Sequence, residues 1–226
     1  MNVITKKQPA TIHIKDPGSA LTHFIALIAV LSSACPLITR GIEHGVGFIA
    51  IVCYIVFLLG AVLLYTASTC YHTFDLSKRG NQLLKKFDHM MIPMLIAGTY
   101  TPACLLGLGG KAGVYLLAFV WCFAILSILF KLFWVDCPKW VSSALYIGMG
   151  WSCVLAIPRL FAVLPLGGFL WLLIGGILYT IGGVIYAFKF DLLGNRFNHF
   201  GTHEVFHLFI MSGTFCHYIF IYFYLT

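Results

Sequence analysis

Charge is what this sequence has least of: only 9% of its residues are Asp, Glu, Lys or Arg, and only seven are acidic. Beside 61% hydrophobic residues, that scarcity excludes a soluble domain, which could not cover its surface with so few polar groups. There is no C-x-x-C pair among the eight cysteines. Residues 35, 53, 70, 104, 122, 137, 153 and 216 therefore read as small buried thiols rather than as disulfides or metal ligands. No 20 to 50 residue repeat, low-complexity tract or long linker is present, which excludes a solenoid and a division into two domains. The first 19 residues lack an apolar core and an A-x-A site, so the first span is expected to be an uncleaved anchor rather than a cleaved signal.

What the chain does have is long apolar runs. A helix needs roughly 20 apolar residues to cross a hydrocarbon core about 30 Å thick, and seven such runs occur, near 20–38, 47–72, 88–107, 113–133, 140–159, 166–188 and 202–225. The predicted fold is an all-α membrane protein, a seven-transmembrane-helix bundle, with a tail over 1–19 and the membrane domain over 20–226.

With seven crossings the loops fall into two sets. One set carries Lys6, Lys7, Lys15, Lys78, Arg79, Lys85, Lys86, Lys131, Lys139, Lys189 and Arg196; the other has only Arg40, Lys111 and Arg159. The positive-inside rule then predicts a cytoplasmic N-terminus, an outside C-terminus and residence in the cell's inner (plasma) membrane. The net charge of +7 is accounted for by topology and anionic headgroups, with no nucleic acid as partner.

Several features have packing explanations. Gly168, Gly175 and Gly182 recur every seven residues in the sixth span, with Gly167, Gly176 and Gly183 beside them. Such a bare face predicts close helix contact. Pro36 and Pro93 predict kinks or helix ends. Ala97 to Pro102 predicts a further bend, with threonine hydroxyls on freed carbonyls.

The polar residues left over in the apolar runs are harder to assign to packing. An ionisable group in the membrane core costs about 2.5 to 3.5 kcal/mol on insertion scales, so one that persists faces the interior and has a partner. His203 and His207 are four apart at the start of the seventh span, on one helix face. His72 ends the second span with Ser68 one turn earlier, and Asp88 follows a short connection. Alone, Asp88 would read as an acid at a helix N-terminus. Counting crossings brings all five residues to one depth. Three imidazoles and an open position make the usual catalytic zinc arrangement, in which the metal lowers the pKa of water to roughly 7.

Alternatives were open on the residues alone. His199, His203 and His207 recur every four residues, but the outer two would stand about 12 Å apart along the axis. His89 could stand in for His72. His13 lies in the tail, His23, His44 and His217 lie along other spans, and His217 reads as a core hydrogen bonder. His203 to His207 also spells H-E-x-x-H, in which Glu204 would be the base of a metalloprotease. The short pattern arises easily by chance, and position 210 is Ile, so the extended form fails.

Taken together, Tyr65-Thr66-Ala67-Ser68-Thr69-Cys70-Tyr71-His72, Phe87-Asp88-His89, Ile96-Ala97-Gly98-Thr99-Tyr100-Thr101-Pro102 and His203-Glu204-Val205-Phe206-His207 resemble the hemolysin III proteins. These bacterial proteins are grouped with the progestin and adipoQ receptors and, more distantly, the alkaline ceramidases. The likeness runs from Thr22-His23 to the last helix. It implies seven helices, a zinc held at His72, His203 and His207, an aspartate at Asp88 near the zinc water and a serine at Ser68 close by. One departure lies before Thr22: relatives carry a Glu and an Asn there, whereas this chain reads Asp16-Pro17-Gly18-Ser19-Ala20, and no role is assigned to it.

Three functions compete. In the first, zinc-activated water attacks a lipid amide or ester entering from the bilayer, Asp88 moves the proton and Ser68 orients the water or donates to the developing oxyanion. In the second, a structural zinc ties helices together in a non-enzymatic sensor or regulator of membrane state. In the third, the chain is cytolytic or pore-forming, a role that would need a polar lumen, and the seven apolar spans offer no polar stripe for one. Membrane lipids are the expected partners, and no protein partner is indicated.

Overall fold

The computed structural model describes residues 14–188 and 200–226. Every regular element among them is helical: α1 Pro17–Glu43, α2 Phe48–Thr73, α3 Lys78–Pro102, α4 Gly110–Phe133, α5 Lys139–Gly150, α6 Ile157–Val163, α7 Leu166–Phe188 and α8 Thr202–Tyr224. A π-helical turn over Ala103–Leu108 prolongs α3, and a 3-10 segment over Trp151–Ala156 joins α5 to α6. Counted this way, seven helical spans are long and apolar enough to cross a membrane. The protein is a seven-helix membrane protein.

The helix ends follow local chemistry. Pro17 starts α1 at a position where its missing N–H costs nothing. Ser77 caps α3, accepting from the Gly80 N–H at 3.3 Å. The cap moves the start of α3 ten residues ahead of the predicted 88, so Asp88 lies within the helix and gains nothing from its N-terminus. Between Lys78 and Phe87 the lysines, Arg79, Gln82, Leu83 and Leu84 are good helix formers, and the charge of Lys78, Arg79, Lys85 and Lys86 ends the apolar run without ending the helix.

Prolines act where expected, with one difference. Pro93 cannot donate to the His89 carbonyl, and the Tyr146 hydroxyl does so instead at 2.9 Å. Thr99 and Thr101 donate to the Leu95 and Ala97 carbonyls at 2.9 Å each, not to the Gly98 carbonyl that Pro102 frees. The chain turns into α4 at Gly109 and Gly110, whose φ values of 63° and 59° suit only residues without a Cβ.

Small residues bring helices close. Gly60 of α2 faces the Met94 carbonyl and Gly98 of α3 faces the Val56 carbonyl, so these two backbones nearly touch. The glycine face of α7 packs on α8 as predicted: Gly168 on Tyr224, Gly175 on His217 and Gly182 on Phe209. All eight cysteines are free. Cys53, Cys104, Cys137 and Cys216 are buried as expected, but Cys35 and Cys122 are exposed, on an outer surface where apolar residues such as Phe48, Phe133 and Leu155 also point outward. In lipid an outward thiol carries little penalty, which is why burial did not follow from apolarity here.

Candidate metal centre

Two helix ends carry the histidines. Ser68 and His72 share the face of the last turns of α2, and His203 and His207 share the face of the first turns of α8. One ring nitrogen from each of His72, His203 and His207 lies within 4.8 Å of the others. The His72 and His203 Nε2 atoms are 3.3 Å apart, and the His203 and His207 ring centroids 4.5 Å. These are the three residues the sequence singled out as ligands, brought together from positions more than 130 residues apart.

The opposite edges of two rings are held. His72 Nδ1 stands 3.0 Å from an Asp16 carboxylate oxygen, and His207 Nδ1 stands 3.0 Å from the Thr22 hydroxyl. His23 stacks on His207, with centroids 3.5 Å apart and planes 10° from parallel. The lead-in to α1 is itself tied down: the Asp16 N–H donates to the His72 carbonyl at 2.8 Å, and the Lys15 ammonium donates to the Tyr71 carbonyl at 3.0 Å. Burial lowers the Lys15 pKa, with Asp16 beside it acting in the other direction.

Both carboxylate oxygens of Glu204 have partners. One of its oxygens accepts from the Gly201 N–H at 2.7 Å, closing the cap of α8, and the other accepts from the Ser19 hydroxyl. The H-E-x-x-H spelling thus combines two histidines of the cluster with a glutamate that serves the helix end.

Ser68 and Asp88 face the same internal cavity as His203 and His207. Ser68 is 1% exposed and its hydroxyl has no hydrogen-bond partner among the described residues. Asp88 reaches His89 Nδ1 at 3.2 Å. The cavity, of about 180 Å³, continues past Ile92, Thr99 and Leu116 to Cys104, Leu108 and Leu160. From Asp88 to Leu108 along α3 is about 30 Å, the thickness of a hydrocarbon core.

The other histidines separate cleanly. His89 turns back to the Lys85 carbonyl at 3.0 Å and is not in the cluster. His217 donates to the Leu172 carbonyl at 3.2 Å, the core role expected of it. His44 caps the end of α1. His13 and His199, with Lys6, Lys7, Lys189 and Arg196, lie outside the described residues.

Sequence reasoning missed Asp16, Ser19, Thr22 and His23. A signal was there: they recur at three- and four-residue steps on one face of the first span, and the crossing count puts that end on the same rim as His72 and His203. The lead-in segment, left without a role, is in contact with the site.

Fold and site define a class: a seven-helix membrane protein whose buried histidine cluster could hold a metal ion at the head of an apolar cavity. Comparison narrows this. A family model described as haemolysin-III related matches residues 12–218. Hemolysin-3 of Bacillus cereus is 36% identical over 200 residues, covering 88% of this chain and 87% of that protein. The Hemolysin-3 homolog of Bacillus subtilis (strain 168) is 34% identical over 200 residues, covering 88% and 89%. Progestin and adipoQ receptor-like protein 1 of Caenorhabditis elegans is 27% identical over 220 residues, covering 90% of this chain but 50% of its own length. The chain belongs to the haemolysin III family, with the progestin and adipoQ receptors as more distant relatives.

Proposed function

We propose that this protein is a zinc-dependent hydrolase of a membrane lipid amide or ester, with His72, His203 and His207 as metal ligands. The donor set supports this reading, since one ring nitrogen from each histidine lies within 4.8 Å of the others. Tetrahedral zinc with bonds of about 2.0 to 2.1 Å places neighbouring ligand nitrogens about 3.3 Å apart, and the His72 and His203 Nε2 atoms stand 3.3 Å apart. When bound, zinc supplies a Lewis acid that polarises a carbonyl and lowers the pKa of water.

The protein's own residues would do the rest. Asp88 takes the proton of the attacking water and returns it to the leaving nitrogen or oxygen. Ser68, whose hydroxyl has no other partner, orients that water or donates to the carbonyl oxygen as charge develops there. The cavity beyond holds an acyl chain. By the measure that a water needs about 10 to 15 Å³, its 180 Å³ admits on the order of a dozen water-sized groups, and an apolar lining favours a hydrocarbon over water.

The observation that carries this reading is the unpaired Ser68 hydroxyl in the wall of an apolar cavity that Asp88, His203 and His207 also line. A purely structural metal would need neither. The reading includes a cytoplasmic N-terminus and a site beneath the inner leaflet's headgroups, supported by the uneven division of basic loop residues.

The test is Asp88→Asn. Purified variant should retain one zinc per chain and lose release of fatty acid from a panel of lipid amides and esters. Zinc retained in a wild-type protein that cleaves none of the panel would favour the sensor reading, in which the metal ties α2 to α8.

A further inference from the structure

We infer that the Lys15–Asp16 lead-in and the first two turns of α1 form a positioning platform for the metal ligands, in which Asp16 fixes His72 and Thr22 fixes His207. This rests on the zinc reading and extends it to residues that make no bond to the ion.

The argument is a count of protons. A carboxylate only accepts, so the His72 Nδ1 that faces Asp16 at 3.0 Å must carry its ring proton there. Its Nε2, the atom turned toward His203, is then left as a bare lone pair. Thr22 has one hydroxyl proton and gives it to the Ser19 carbonyl at 2.9 Å. With that proton on the carbonyl, Thr22 accepts from His207 Nδ1, 3.0 Å away, and in this arrangement His207 also holds its proton outward and keeps Nε2 as its lone pair. Two imidazoles are thereby set in the tautomer a metal requires before any metal arrives.

Orientation is fixed as well. His23 lies flat on the His207 ring and limits its rotation. The Ser19 hydroxyl on Glu204 ties the start of α8 to α1. Asp16 is steadied by its own N–H on the His72 carbonyl and by the neighbouring Lys15, whose ammonium lies 3.5 Å over the Tyr71 ring. His203, by contrast, has no partner for its Nδ1 among the described residues, so the platform serves two ligands of three.

The experiment measures zinc affinity of the full-length protein in detergent by competition with a chelating dye, with the ligand-field spectrum of the cobalt-loaded protein as a second readout. Asp16→Ala and Thr22→Val should each weaken zinc binding about 10- to 100-fold, the usual loss for an outer partner of a ligating histidine, and should alter the cobalt bands. Thr22→Ser, which keeps the hydroxyl, should restore the wild-type value. Asp16→Asn and Thr22→Ala supply milder replacements if the first pair does not fold. A residue whose replacement leaves affinity and spectrum unchanged is not a positioning residue. An effect confined to the melting temperature of metal-free protein would likewise overturn the inference, since it marks a packing role. Failure of the zinc reading shows separately, as wild-type protein that binds no zinc.

Discussion

The two ends of the bundle treat their polar groups differently. At the end opposite the histidines, Arg40 and Tyr54 are hydrogen-bonded: Arg40 donates to the Tyr222 carbonyl at 2.9 Å and the Thr226 hydroxyl at 3.0 Å, and Tyr54 donates to the Leu225 carbonyl at 2.5 Å. These bonds close α1, α2 and the C-terminus of α8 together. At the histidine end, buried polar atoms are left over: the Ser68 hydroxyl, His203 Nδ1 and both His23 nitrogens have no partner among the described residues. A buried polar group without a partner costs roughly 1 to 3 kcal/mol. One end is finished by its own hydrogen bonds; the other has capacity for something more.

Substitutions at the two ends should therefore separate metal from stability. The largest effect is expected for His207→Ala, which should take zinc from one per chain to background by elemental analysis; full occupancy would dissolve the distinction. Arg40→Met, at the other end, should leave zinc untouched and cost about 1.5 to 3 kcal/mol, the value of hydrogen bonds from a charged donor, read as a lowered melting temperature. Ser68→Ala should raise stability by up to about 1 to 3 kcal/mol, because it removes a buried hydroxyl that has no partner among the described residues, while slowing any lipid hydrolysis. A large loss of stability there would mean that the serine is structural.

The smallest effect concerns pH. The Lys85 ammonium, 2.6 Å from Asp136, holds that carboxyl below its ordinary value. Because the folded value is the lower one, the pair stabilises the protein above the ordinary carboxylate range and is lost as pH falls through the folded value. Asp136 is largely exposed, so the contribution is at most about 1 kcal/mol. The difference in melting temperature between wild type and Asp136→Asn should shrink on acidification toward pH 3.

Seven spans were legible because apolar length alone defines a crossing. Their ends were less so: hydropathy stops at Lys86, but α3 begins at Lys78. The 3-10 segment at Trp151–Ala156 leaves no mark on hydropathy at all. At the site, His203 and His207 were legible from helical spacing, and His72 from the crossing count. His23 and Thr22 were passed over because, inside an apolar run, nothing in the linear sequence says which helix face meets α8. Asp16 was passed over because it precedes the run.

The glycines of α7 have a consequence for how the protein can vary. A methyl added at Gly182 would stand 3.0 Å from Phe209 Cβ, and one at Gly175 would meet the imidazole of His217. Either would push α8 outward, and α8 carries two of the three clustered histidines. Hydrogen atoms in the middle of the bundle thus set the spacing of α7 and α8, and a mutation that adds a single methyl there would be felt first as a wider gap among the clustered histidines.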